Sequence, residues 1–258
     1  WKVVEWHGQA GPESEVEPDI EGRTLIAVCE RARPRKIALP PESVAILGLG
    51  PSLGAYVDLA KRLGARGKLA DEIWGINALG DIIACDRVFH MDDVRIQEAR
   101  AEARPESNIA AMLGWLKRHP GPIYTSRPHE DYPGLVAYPL ADVINSTGYA
   151  YFNNAAAYAV AYAVHLGVRK ISLFGCDFTY PKAHDAEKGR GCVEWWLGFA
   201  AARGIKIAMP PSTSLMDALV PPDERLYGYD TVRVQLRERG GRTRVKFLPR
   251  EEIPTADE

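Results

Sequence analysis

The stretch Gly48-Leu49-Gly50-Pro51-Ser52 joins an apolar run, VAILG, to an Ala/Leu-rich segment, so it reads as a strand passing through a glycine turn into a helix. Such a turn aims backbone N–H groups and the positive end of a helix at one spot, which suits a phosphate or another anion. Gly48 and Gly50 let the backbone come close, Pro51 presets the first helical turn, and the Ser52 hydroxyl is expected to be free to donate. The turn is neither a full GxGxxG nor a Walker A, since no GK[ST] follows, and a merely tight strand-to-helix turn is the competing reading.

Other candidate strands also end in polar residues. Asn77 ends EIWGIN, Asp92 and Asp93 follow RVFHM, and Asp177 follows KISLFGC. Polar tips of this kind gather at the carboxyl edge of an open parallel sheet, where ligands bind. The Asp92-Asp93 pair could hold Mg or Mn against a diphosphate, because hard cations take oxygen ligands. The same two residues could equally decorate the N-terminus of a helix beginning at Val94.

His184 follows Asp177 within what reads as a short loop, so a carboxylate and an imidazole can share one cleft, with His184 as general base. An exposed loop histidine is the alternative. Asn153 and Asn154 precede the Ala-rich segment AAAYAVAYAVHL, one to cap that helix and the other to face a ligand. Ser146 and Thr147, in NSTG, offer hydroxyls to a base or ribose, and plain loop chemistry explains them as well. His90 reads as strand-embedded and His165 as packed on a helix; His7, His119 and His129 fall in loops without a clear partner. Trp195, Trp196 and Phe199 read as a core stripe. There is no GxSxG and no HExxH, and Cys176 has no adjacent base, which disfavours nucleophilic hydrolysis.

Positioning these residues requires a sheet. From Ser43 onward short apolar runs (VAILG, EIWGIN, RVFHM, PIYTS, KISLFG, KIAMP) alternate with helical segments at 53–63, 94–118, 154–166 and 191–202. That alternation predicts an α/β, Rossmann-like, mostly parallel sheet flanked by helices. An N-terminal extension over 1–41, with one strand at TLIAVC, precedes this 42–222 domain. A C-terminal β-hairpin around Gly240-Gly241, with a tail, occupies 223–258.

At 258 residues and 46% hydrophobic the chain can bury one substantial core. A net charge of -2 offers no global positive field, so nucleic acid is disfavoured as a substrate, and the basic stretch from Arg233 to Arg244 reads as a solvated hairpin. Four scattered cysteines without CxxC spacing predict buried free thiols in a reducing compartment. No run reaches the roughly 20 apolar residues of a membrane helix and no signal-like start is seen, so a cytoplasmic location is expected.

The combination GLGPSL, GINAL, a strand ending in an acidic pair, and NNAAAYAVAYAVHLGVRKISLFGCDF resembles a superfamily. It joins bacterial sialyltransferases, motility accessory factor glycosyltransferases and MptE-like 6-hydroxymethylpterin pyrophosphokinases. The resemblance spans roughly 44–216. It implies a Rossmann-like fold binding a nucleotide or nucleotide-sugar donor, with Gly48, Gly50, Pro51, Ser52 and Asn77 at the nucleotide, Asn153-Asn154 lining its pocket, and Asp177 at the GxD position. The activities it implies are glycosyl transfer to a hydroxyl-bearing acceptor or ATP- and Mg-dependent pyrophosphoryl transfer. A nucleotide-binding module without chemistry is the reading from another class, and an exposed hairpin edge would suit a homo-oligomer.

Overall fold

The computed structural model describes residues 40–64, 69–179, 182–221, 224–229, 232–240 and 242–249. The expected TLIAVC strand, Cys29 and His7 lie outside the described residues, as does the tail from 250.

Seven strands form one sheet in the order β5-β4-β3-β2-β1-β6-β7, every neighbouring pair parallel. They are β1 (Ser43–Leu47), β2 (Glu72–Ile76), β3 (Arg87–Phe89), β4 (Ile123–Thr125), β5 (Leu135–Ala137), β6 (Lys170–Phe174) and β7 (Lys206–Ala208). A parallel sheet needs crossover helices, which cover both faces, and so its central strands are apolar throughout rather than alternating. In β1 Val44, Ala45, Ile46 and Leu47 are all fully buried. Ala45 and Leu47 pack with Tyr56 of α1 (Leu53–Leu63), while Val44 and Ile46 turn to the other face, toward the helix α6 (Ala155–Leu166). That helix has eight buried residues, five of them alanines, so it lies close against the sheet.

The remaining helices are α2 (Leu79–Ile82), α3 (Val94–Ala103), α4 (Ile109–Arg118), α5 (Leu140–Thr147) and α7 (Ala183–Ala202). Three segments depart from the sequence reading. The single helix expected over 94–118 is two, α3 and α4, because Pro105 lacks an N–H and disfavours helical geometry at Arg104, which takes φ -141 and ψ 75. The helix expected at 191–202 begins eight residues earlier. Within the added turns, Gly189 is where the Phe178 ring packs on α7: a Cβ there would lie 2.6 Å from that ring. The NSTG stretch, read as a loop, is the last turn of α5.

The C-terminal hairpin pairs β8 (Val232–Arg239) with β9 (Arg242–Pro249) in antiparallel register, forming a separate two-stranded sheet. Among the described residues no helix is long and apolar enough to cross a membrane. Cys85, Cys176 and Cys192 are free thiols, the latter two buried.

Candidate functional site

The strand order fixes where a ligand can sit. From β1 the chain steps outward through β2 to β5, then returns to lay β6 on the other side of β1. Between β1 and β6 the connections diverge to opposite faces, which opens a crevice beyond the carboxyl ends of the strands.

At that crevice the glycine turn is stitched to the connection leaving β6. The Gly48 N–H donates to the Phe174 carbonyl (2.8 Å) and the Gly50 N–H to the Gly175 carbonyl (2.7 Å). The Ser52 N–H donates to Oδ2 of Asp177 (2.7 Å), and the Gly175 N–H donates back to Oγ of Ser52 (2.8 Å). The Gly48, Gly50 and Ser52 N–H groups are thus spent within the protein, and the Ser52 hydroxyl, expected to be free, is buried in the stitch. This closeness is what the glycines permit. A Cβ on Gly48 would lie 2.3 Å from the Gly175 oxygen, and one on Gly50 would lie 2.6 Å from Oδ2 of Asp177.

Above the stitch lies a cavity of about 400 Å³. Of the residues singled out in the sequence, Gly48, Gly50, Pro51, Asn77, Asn154 and Asp177 line it. Cys176, Phe178 and the first residues of α6, Ala155 and Ala156, also line it and were not foreseen. Asn77 sits just past β2 in the left-handed region (φ 52), tolerable for asparagine, with its N–H on the Phe89 carbonyl. Asp177 is 3% exposed. Oδ1 of Asn77 and Oδ1 of Asp177 are buried and have no partner among the described residues. Buried polar atoms are nearly always paired, so two orphaned acceptors on residues of one cavity call for a ligand that donates. Burial, with Asp177 beside it, pushes the Cys176 thiol up to about 12, which removes it as a nucleophile.

Asn154 performs both roles that had been divided between the two asparagines. Its Oδ1 accepts from the Ala157 N–H (3.0 Å), capping α6, and the residue still lines the cavity. Asn153 instead donates to the Lys188 carbonyl on α7 (2.8 Å). Ser146 and Thr147 are away from the cavity: both hydroxyls bond back to the Val143 carbonyl, as serine and threonine do within helices, and Ser146 also meets Nδ1 of His165 (2.8 Å). His184 is exposed on the first turn of α7 rather than in a loop, and it is not among the residues lining the cavity. His90, one residue past β3, is 1% exposed with both ring nitrogens unpartnered among the described residues, and burial holds its pKa below the usual histidine range.

The acidic pair resolves toward the helix reading. Asp93 caps α3, accepting from the Arg95 N–H (2.9 Å), and its carboxylate also meets Nε2 of His129 (3.0 Å), so His129 has the partner that its sequence context did not reveal. Asp92 is exposed, and its backbone carbonyl accepts from Thr125 Oγ1. Among the described residues no group of three or more His, Cys, Asp or Glu converges to hold a metal ion.

The Arg95 amide first, and His129 after it, hold the Asp93 carboxyl below its usual range. A depressed carboxyl stabilises the fold above its unfolded pKa, near 4, and that contribution fades as the pH falls through the folded value. Asp93→Asn keeps a capping oxygen and is therefore expected to cost less than about 1 kcal/mol at pH 6. In urea unfolding the gap between variant and parent should close as the pH is lowered toward 3; a gap that stays constant would show that the ionised carboxylate contributes nothing.

No protein-family model matches the chain, and no curated protein does. Among solved structures the chain is similar to the sialyltransferase CstII from Campylobacter jejuni in complex with a substrate analogue, cytidine-5'-monophosphate. The two share 16% identity over 68% of this chain and 83% of that one, with a TM-score of 0.37.

Proposed function

We propose that the chain is a transferase that binds a nucleotide-activated donor, a nucleotide sugar, in the cavity between β1 and β6 and passes its glycosyl group to a hydroxyl acceptor. The observation that carries this reading is the pair of orphaned acceptors, Oδ1 of Asn77 and Oδ1 of Asp177, on residues of that cavity. Ribose and sugar hydroxyls are donors of the kind these oxygens lack, and a space of about 400 Å³ is within the range of small-molecule sites.

In this reading the phosphates sit away from the glycine turn. The Gly48, Gly50 and Ser52 N–H groups are spent, and the Asp177 carboxylate beside them would repel an anion. Facing the cavity instead is the N-terminus of α6, through Asn154, Ala155 and Ala156. The first amides of a twelve-residue helix have no intrahelical acceptor, and they carry the positive end of its dipole. In this reading they take the diphosphate or monophosphate and stabilise the charge that builds on it as the glycosyl bond breaks.

The acceptor oxygen forms the new bond to the sugar, the bond to the phosphate oxygen breaks, and the acceptor proton goes to a base. Of the titratable groups at the cavity, Cys176 holds its proton firmly, and Asp177 gives one carboxylate oxygen to Ser52 and, in this reading, the other to the donor. We assign the base to His184, on the helix that follows the cavity-lining segment ending at Thr179. The pyrophosphokinase alternative rests on the acidic pair, and with Asp93 engaged at the cap of α3 no observation favours it.

The test is thermal denaturation of the full chain with CMP, UDP, GDP, ADP and ATP, since a ligand bound only by the folded state raises the Tm. At least one pyrimidine or purine nucleotide should do so. In Asp177→Asn the amide oxygen can still accept from Ser52, but the ligand loses a charge-assisted bond, so affinity should fall about 10- to 100-fold. A panel without any shift, or an Asp177→Asn variant that binds as tightly as its parent, would sink this reading.

A further inference from the structure

The hairpin has two chemically opposite faces. Its register sets Val234 against Phe247, Gln235 against Lys246 and Arg237 against Arg244. Successive strand residues alternate sides, so Arg233, Arg237, Arg242, Arg244 and Lys246 share one face while Val234, Val245 and Phe247 share the other. All five cations are exposed. Among the described residues no carboxylate pairs with Arg237, Arg242, Arg244 or Lys246.

Within 232–249 there are six Lys/Arg and one Glu, a surplus of five in a chain whose total is -2. The total therefore conceals a concentrated positive strip. Like charges directly opposite each other weaken a strand pair, and a surface needing only solubility would intersperse both signs. Arg237 facing Arg244 is a cost that a polyanion would remove.

The apolar face indicates how the ribbon is turned. Val234 is 5% exposed, and the Phe247 ring stacks on Tyr229 at 5.9 Å, so that side is partly occupied by the chain's own residues. The basic side is exposed at all five cations, whereas on the other side Val234 is covered and Val245 and Phe247 are half exposed. A lipid surface would need apolar and basic groups to engage together, whereas here they point in opposite directions. A two-stranded ribbon does fit the major groove of a duplex, about 12 Å wide, and Arg242, Arg244 and Lys246 recur in steps of about 6.7 Å along one edge. We propose that the basic face of the β8–β9 hairpin docks on the phosphates of double-stranded nucleic acid, independently of the nucleotide cavity.

The test is fluorescence anisotropy of the full chain with a labelled 20-base-pair DNA duplex of mixed sequence. Four phosphate contacts predict a salt slope near -3.6, so affinity should fall about 100-fold between 50 and 200 mM NaCl. Arg237→Gln with Arg244→Gln should lower the slope by about 2, and Lys246→Gln alone by about 1, each with an unchanged thermal melt. Three results would overturn the proposal: no binding at 50 mM salt, a slope in the double variant equal to the parent's, or binding to phosphatidylserine vesicles that depends on the two arginines while the duplex is ignored.

Discussion

Gly175→Ala is expected to destabilise the protein by about 2–5 kcal/mol and to lower its Tm by on the order of 10 °C. Two independent costs add. Gly175 has φ +69, where any Cβ is strained, and a Cβ there would lie 2.2 Å from the Gly48 oxygen and 2.7 Å from the Gly48 carbonyl carbon. Those atoms are backbone and cannot rotate aside as a side-chain tip would. They belong to the strand end whose N–H groups bond Phe174 and Gly175, so relief by backbone shift would break the stitch beneath the cavity. Thermal or urea denaturation measures the effect directly. Gly54→Ala is the internal control: it lies in α1 with open space around its Cβ position, and alanine favours a helix by up to about 1 kcal/mol. A Gly175→Ala variant as stable as its parent would mean that β1 and β6 do not end in this close contact.

The second large effect concerns turnover. His184→Asn is expected to slow glycosyl transfer about 100- to 10,000-fold, the range supplied by one general base, while nucleotide binding stays as in the parent. The separation follows from position, because His184 is exposed on α7 and does not line the cavity that would hold the donor. Release of nucleotide from whichever sugar nucleotide raises the Tm, with a simple alcohol as acceptor, gives the rate, and the Tm shift itself gives the binding. Unchanged turnover would place the base elsewhere.

What could be read from the chain beforehand was whatever is local. The apolar runs that are buried on both faces, the boundaries of α1 at Leu53 and Leu63, and the Gly-Gly hairpin were all visible because each depends on neighbouring residues. The glycine turn was also legible, but its use was not. That Gly48 and Gly50 donate to Phe174 and Gly175 follows only from β6 lying beside β1, a pairing between segments more than 120 residues apart. The two orphaned oxygens of Asn77 and Asp177 are a property of the same packing.

Competing local signals account for other differences. Ser146 with Thr147 resembles a loop because both residues bond well outside helices, yet their hydroxyls bond back within α5. The basic stretch from Arg233 to Arg244 reads from sequence as a solvated hairpin, and only the register of β8 against β9 shows that its cations share one side.

The bond from the Ser52 amide to Asp177 spans 125 positions, and it has a consequence for the order of events in synthesis. A ribosome that has delivered β1 through β5 has made five of the seven strands of the sheet, yet only one wall of the pocket. The second wall arrives with β6 and the three residues after it, and contacts of such long sequence separation form slowly because loop closure must precede them. The completed pocket is therefore something the chain acquires late and all at once, and a nascent or truncated chain that stops before Asp177 would possess much of the fold and only part of the pocket.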